Sequence, residues 1–333
     1  MDLETSSAGA LQVKERGLSS LSILTLPTEL VGEIFAHFLP AYPLRPPLVG
    51  SLSPTLLSHV CHEWREIAIA TPELWRAIAV SLPSYSPPAE GPLHIMDLWL
   101  KRSRGCALSL EITAEYRGSA SAAVALVVLH AARWEYVKFH VSPADLRTLV
   151  GPLPMLRQLD LAFDGHIDDP LPAPDMPLLC TVALDFNYED QSYPIALPWA
   201  QLTSLTIIHT TPEECAPLLQ QALNLIHCEL GLVYDDADLQ DITLPRLKSL
   251  ILTVGGSNSL ASFLAILQVP SLCILRIADA LLGNSPVEFL RSFIAKSGCT
   301  LEELAVTGTR SIERDEAYRQ AFPSIPKLSF PSE

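Results

Sequence analysis

One spacing governs most of this chain: an apolar residue, two others, an apolar residue, one other, an apolar residue. It occurs at Leu156/Leu159/Leu161, Leu179/Val182/Leu184, Leu202/Leu205/Ile207, Leu225/Cys228/Leu230, Leu247/Leu250/Leu252, Leu272/Leu275/Ile277 and Leu301/Leu304/Val306. Weaker copies precede these at Ala107/Leu110/Ile112 and Trp134/Val137/Phe139. The first positions of the seven strong copies recur every 22 to 29 residues, a period that marks a solenoid. Each copy reads as a short strand whose alternate residues point inward. No such strand buries its apolar face alone, so neighbouring copies must stack. Leu205 and Leu250 are therefore expected in a shared core. Gln158, Asp160, Thr203, Thr206, Lys248 and Ser249 are expected on the outward strip of the sheet, where a partner would bind.

The returns between strands carry their own signals. "TPEE" (Thr211 to Glu214) offers an N-cap, a proline at the first helical position and the glutamate of a capping box. "SPVE" (Ser285 to Glu288) repeats the device, with Gly298 as the stop, and "SPADLRTLVG" (142–151) is similar. Returns around "DDPLPAPDMP" and "EDQSYPIALP" are too proline-rich for helix and read as extended. The expected class is α/β, with a parallel sheet on one side and mixed helical and extended returns on the other. Its expected span is 93–310. Residues 1–22 read as a disordered tail, 26–80 as helical, 81–92 as a Pro-rich linker and 311–333 as a C-terminal tail.

Composition narrows the function. With 49% hydrophobic residues in 333, a large core is available. A net charge of -15 argues against binding nucleic acid or an anionic membrane surface. The longest apolar run, "AAVALVVLHAA" (122–132), is far shorter than a membrane span, and "MDLETSSAGA" is no secretory signal. The seven cysteines include no CxxC pair. Cys180, Cys228, Cys273 and Cys299 sit among apolar residues and read as reduced core thiols of a soluble cytoplasmic or nuclear protein.

The stretch "HVCHEWREIAIATPELW" (59–75) poses a choice between metal ligands and core. Drawn as one helix over 54–69, Cys61 joins Leu57, Val60, Trp64 and Ile67 on an apolar arc. His59 and His62 fall opposite, so the three do not converge as zinc ligands must. In "LPTELVGEIFAHFLP", the residues Leu30, Val31, Ile34, Phe35, Phe38 and Leu39 cover about half the wheel. That is wider than one-sided packing requires. The helix needs two apolar neighbours, and the second is either the first turn of the solenoid or another molecule.

The repeat spacing resembles the leucine-rich repeat. The ninth position departs from that family's Asn or Cys: it is Asp164, Asn187, Thr210, Val233, Gly255, Ala280 and Thr309. The N-terminal segment is similar to an F-box, matched at Leu26-Pro27, Glu29-Leu30, Ile34-Phe35, Leu57, Val60-Cys61, Trp64-Arg65 and Leu74-Trp75. The insertion "PAYPLRPPLVGSLS" is longer than the family's usual connection. In this, and in its "TPELW" ending, the segment resembles F-boxes of mushroom-forming fungi.

The resemblance implies a non-catalytic substrate receptor of an SCF-type ubiquitin ligase. The F-box would bind a Skp-type adaptor, which bridges to cullin and RING subunits. The repeats would bind a target protein. Leu26, Pro27, Leu30, Ile34 and Phe35 would then lie at the adaptor interface. Leu57, Val60 and Trp64 would combine core and contact, and a purely core role is the competing reading for each residue. One alternative is a scaffold with the same partners that does not direct ubiquitination. A remote one is a hydrolase using Ser257 or Ser259 of "VGGSNS", which lacks the second glycine of a nucleophile elbow. "YDDADLQD" (234–241) clusters carboxylates without the glycine and terminal glutamate of a calcium loop. No cofactor or metal is expected.

Overall fold

Pro27 precedes helix α1 (Thr28–Phe38), and Leu39 ends it in an extended conformation ahead of Pro40. A computed structural model of the chain describes residues 23–82, 90–114, 120–147, 149, 151–163, 174–185, 196–233, 239–254, 261–308 and 312–331. The tail expected at 1–22 lies outside them. Helix α1 packs on the helices that follow. A Cβ on Gly32 would lie 2.9 Å from Thr71 Oγ1, so the glycine permits a close approach. Phe35 and Trp64 meet with ring centroids 4.8 Å apart.

The single helix drawn through 54–69 is corrected. Two helices form, α2 (Pro54–Val60) and α3 (His62–Ala70), broken at an extended Cys61 with φ −154° and ψ 177°. The first N–H groups of a helix need an acceptor, and here Cys61 Sγ accepts from Trp64 N–H at 3.4 Å. Cys61 is therefore a cap rather than a member of one apolar stripe. Ser53 caps α2 through Thr55 N–H.

Strand β1 (Ala77–Leu82) starts just beyond Trp75. Helix α4 (Glu90–Arg102) returns to β2 (Leu108–Ala114), and α5 (Ser121–Val128) to β3 (Trp134–Val141). After the short α6 (Pro143–Leu146) come β4 (Gln158–Phe163), β5 (Thr181–Asp185) and β6 (Ser204–Thr210). Then follow α7 (Pro212–Gln221), β7 (His227–Leu232), β8 (Ile242–Thr243), β9 (Ser249–Val254), α8 (Ala261–Ile266), β10 (Leu267–Gln268) and β11 (Ile274–Ala278). The chain continues with α9 (Pro286–Ser297), β12 (Glu303–Thr307), α10 (Ile312–Ala321) and β13 (Lys327–Ser329). Eleven strands form one sheet in the order β1-β2-β3-β4-β5-β6-β7-β9-β11-β12-β13, every described pair parallel. The two-residue strands β8 and β10 pair separately. The class is α/β, as expected.

Register explains the repeat. Leu110, Val137, Leu159, Val182, Leu205, Cys228, Leu250, Leu275, Leu304 and Leu328 stand opposite one another across the sheet. Ile112, Phe139, Leu161, Leu184, Ile207, Leu230, Leu252, Ile277 and Val306 form a second row, and nearly all of both rows is buried. In six of the seven strong copies the first position closes a tight turn, its N–H bonding a carbonyl three residues back. Leu156 bonds Leu153, Leu179 Met176, Leu202 Trp199, Leu225 Ala222, Leu247 Leu244 and Leu272 Val269. Those partners are buried too, so these six units carry a fourth apolar position that sequence inspection missed.

Both ends of the expected solenoid are corrected. Trp75/Ile78/Val80 and Ile325/Leu328/Phe330 carry the same spacing and supply the outermost strands β1 and β13. Ser81 and Leu82 are thus strand rather than linker, residues 90–92 open α4, and the expected tail holds α10 and the sheet strand β13. Tyr318 anchors this end, its buried hydroxyl donating to Asp279 at 2.6 Å while Arg314 pairs with the same carboxylate. Trp75 stacks edge-on against Trp99 at 5.6 Å and donates to the Ala68 carbonyl. It joins the helices to the sheet in one core.

The capping box at Thr211 forms as read: Glu214 N–H donates to Thr211 Oγ1, and Thr211 N–H to Glu214 Oε2 at 2.9 Å. At Ser285 no side-chain cap bond forms, although Pro286 opens α9 and Gly298 ends it with φ 64°. The extended returns lie partly outside the described residues. Cys180 and Cys273 are half-buried beside strand starts, not in the core.

Candidate functional site

The half-circumference of apolar residues on α1 divides into two ridges. Val31 and Phe35 face inward, Phe35 being 2% exposed. Leu30, Ile34 and Phe38 follow at steps of four residues, which stacks them along one face of α1, and Leu26 precedes the helix beside Pro27. All four are open to solvent, Leu30 at 52% and Ile34 at 44%. The sheet and its returns do not cover this ridge. A second series, Leu52, Leu56 and Val60, follows the same step into α2 and is also exposed. Other exposed large apolar residues among the described residues are Leu44, Val49 and Ile69 in the same N-terminal region, and Leu129, Met155, Leu178, Leu223 and Ile274 scattered singly beyond it. Burying such a ridge against a partner removes apolar area worth roughly 25 cal/mol per Å².

Two expected contact residues are corrected by this geometry. Phe35 and Leu57 (4% exposed) are core, because both face the packed interior of the helices. Trp64 is half-buried against Phe35, while Val60, at 55%, is surface rather than core. Pro27 is exposed beside Leu26. Phe38, Leu52 and Leu56 are exposed as well, at four-residue steps from Ile34 and Val60.

The insertion after α1 has a definite place. It lies across the outward ends of β2 and β3. Ser109 Oγ donates to the Pro43 carbonyl at 2.7 Å, Tyr42 OH donates to Glu135 at 2.9 Å, and Arg45 pairs with Glu111 at 3.3 Å. Tyr42 sits edge-on to Tyr136 and under the Arg76 guanidinium, 3.9 Å from its ring centre. Burial, then the bond to Glu135, hold the Tyr42 phenol well above its ordinary range. The extra length of this connection is thus a strap from the helices to the sheet. Its side chains Leu44 and Val49 remain exposed.

Of the six residues expected on the outward strip, Gln158, Asp160, Thr206 and Ser249 occupy outward strand positions. Lys248 is exposed and Thr203 half-buried, but neither lies within a strand. They precede β6 and β9 by one residue and belong to a backbone ladder at the strand starts. There the N–H groups of Arg157, Cys180, Thr203, Ile226, Lys248, Cys273, Glu302 and Lys327 each bond the preceding unit at 2.8 to 3.1 Å. The strand's two-residue alternation does not extend to them, which is why Lys248 is exposed although Leu250 is buried.

Asp160 lies between Lys138, at 4.0 Å, and further carboxylates. Burial raises its pKa; Lys138 and Arg45 oppose this, while Glu111 and Asp185 add to it. A carboxylate raised in the folded state destabilises the fold wherever it is ionised. The cost is absent below its ordinary value of 3.8, grows as pH rises towards the folded value and is complete above it. Asp160→Asn should therefore raise the melting temperature at pH 7, and the gain should vanish near pH 3. A lower melting temperature at pH 7 would show that the ion pair outweighs burial.

His62 pairs with Glu66 at 3.6 Å on an open helix face, away from the capping Cys61 sulfur. Among the described residues no three His, Cys, Asp or Glu side chains are grouped to hold a metal ion. Burial pushes the Cys228 thiol up to about 12 and that of Cys215 well above its ordinary value, so both stay protonated in the core. Ser257, Ser259 and residues 234–238 lie outside the described residues. Among the described residues no helix is long and apolar enough to cross a membrane. Compared with known proteins, the chain matches no family model and no curated protein.

Proposed function

We propose that this chain is the non-catalytic substrate-recognition subunit of an SCF-type ubiquitin ligase in the cytoplasm or nucleus. Helices α1 to α3 serve as an F-box, and the strands with their returns as a leucine-rich-repeat-like solenoid. The observation that carries this reading is the open ridge of Leu26, Leu30, Ile34 and Phe38 on a helix whose opposite ridge is already packed. A Skp-type adaptor covers that ridge, with Pro27, Val60 and the edge of Trp64 beside it, and brings cullin and RING subunits. Phe35 and Leu57 hold the helices in shape from beneath. The receptor contributes proximity. A target held on the outward face of the sheet presents its lysines at high effective concentration to the charged conjugating enzyme. The strap and the Trp75–Trp99 contact suit this role, because a fixed angle between the two ends keeps the target where transfer occurs.

The test is reconstitution. The purified chain should co-elute with adaptor, and with adaptor, cullin and RING together. Replacing Leu26 and Pro27 with Ala should weaken adaptor capture without changing the melting temperature. Capture of adaptor but never of cullin would replace the receptor with a scaffold. No capture of adaptor would end the F-box reading.

A further inference from the structure

The outward face of the sheet already holds one peptide, the chain's own residues 42–45. Besides the contacts of Tyr42, two kinds of group in two register-matched rows hold it. In the first row, Ser109 gives its hydroxyl to the Pro43 carbonyl; in the second, Glu111 takes the Arg45 guanidinium. Both rows run on past the strap. The first continues from Ser109 through Tyr136, Gln158, Thr181, Ser204 and His227 to Ser249. The second continues from Glu111 through Lys138, Asp160, Ala183 and Thr206 to Glu229. Among the described residues the strap's hydrogen bonds end at β3. From β4 to β7 the rows again offer hydroxyls, at Thr181 and Ser204, and carboxylates, at Asp160 and Glu229.

We propose that β4 to β7 bind an extended, arginine-bearing segment of a partner protein, laid across the strands as residues 42–45 lie across β2 and β3. This rests on the reading of the outward face as the target surface and names the class of target. The hydroxyls of Thr181 and Ser204 meet the segment's carbonyls, and the carboxylates of Asp160 and Glu229 meet its cations. Ala183 and Thr206, small side chains between those carboxylates, leave room for the backbone. Asp160 and Glu229 are three strand spacings apart, about 14 Å. An extended chain covers that distance in about four residues, so the two cations should stand about four apart. The net charge of -15 steers such a segment inward. A guanidinium at Asp160 would also relieve a carboxylate that burial leaves poorly compensated.

The probe is a fluorescent peptide of residues 40–50 of this chain with Val49→Arg, which places arginines at 45 and 49. Its control has both arginines replaced by Glu. Anisotropy with the full chain should show binding of the first peptide and, in low salt, at least about tenfold weaker binding of the second. Asp160→Asn with Glu229→Gln, and separately Thr206→Lys, should each weaken the first peptide by about tenfold or more, at an unchanged fold by circular dichroism. Glu111→Gln should not. Absence of binding, equal binding of both peptides, or weakening by Glu111→Gln alone would overturn the proposal, the last because the peptide would then be replacing the strap. Self-association of the free chain that Thr206→Lys abolishes would also overturn it, since the occupant would be a second copy. Adaptor capture by the same preparation separates the two readings. If the adaptor binds and the peptide does not, this inference fails and the receptor stands. The reverse result supports the peptide surface and removes the receptor.

Discussion

Leu30→Glu together with Ile34→Glu should abolish adaptor binding while leaving the fold intact. Both side chains lie on the open ridge of α1, half in solvent, so a carboxylate at either costs the free chain little. In a complex the same carboxylates would be buried against apolar surface without partners, at several kcal/mol. A loss of about 3 kcal/mol is more than a hundredfold in affinity. Phe35→Glu is the contrasting case. Phe35 packs on Trp64 in the interior, so that substitution should unfold the helices rather than only silence an interface. Titration calorimetry with the adaptor, paired with thermal melting, separates the two. Wild-type affinity for the double variant would place the adaptor elsewhere or remove it from the proposal.

Leu205→Ala or Leu250→Ala should destabilise the chain by about 2–5 kcal/mol, as buried leucine truncations do. Leu205 lies opposite Val182 and Cys228, and Leu250 opposite Cys228 and Leu275, so each cavity opens against the strands on both sides. Stacked units depend on their neighbours, and the loss spreads along the sheet. That is a large part of the roughly 5–15 kcal/mol that holds a whole domain together. Lys248→Ala, two residues from Leu250, should change stability by less than about 0.5 kcal/mol because its side chain is exposed at the strand start. Urea unfolding monitored by circular dichroism gives both values. A small effect at Leu250 with a large one at Lys248 would contradict the observed register.

Much of the fold could be read directly because its determinants are local. A strand alternates with period two, so LxxLxL placed the inward rows before any neighbour was known, and Leu205 and Leu250 are buried accordingly. The capping box at Thr211 and Glu214 also involves only adjacent residues, and it forms as expected. The four-residue step of Leu30, Ile34 and Phe38 likewise follows from helix geometry alone.

Three features depended on parts of the chain distant in sequence. A helical wheel assumes a continuous helix, and it failed at Cys61, where the chain turns so that α2 and α3 can pack on each other. The limits of the sheet were misplaced because Trp75 and Phe330 carry the repeat in aromatic form, and only pairing to β2 and β12 reveals β1 and β13. The strap was illegible for the same reason. Tyr42 and Arg45 have their partners 93 and 66 residues away, at Glu135 and Glu111, and no spacing within "PAYPLRPPLVGSLS" encodes them. Nor could the wheel decide whether the second ridge of α1 met the sheet or another molecule. Periodicity fixes which residues share a face; what lies against that face depends on how distant elements pack, and here the sheet leaves the ridge open.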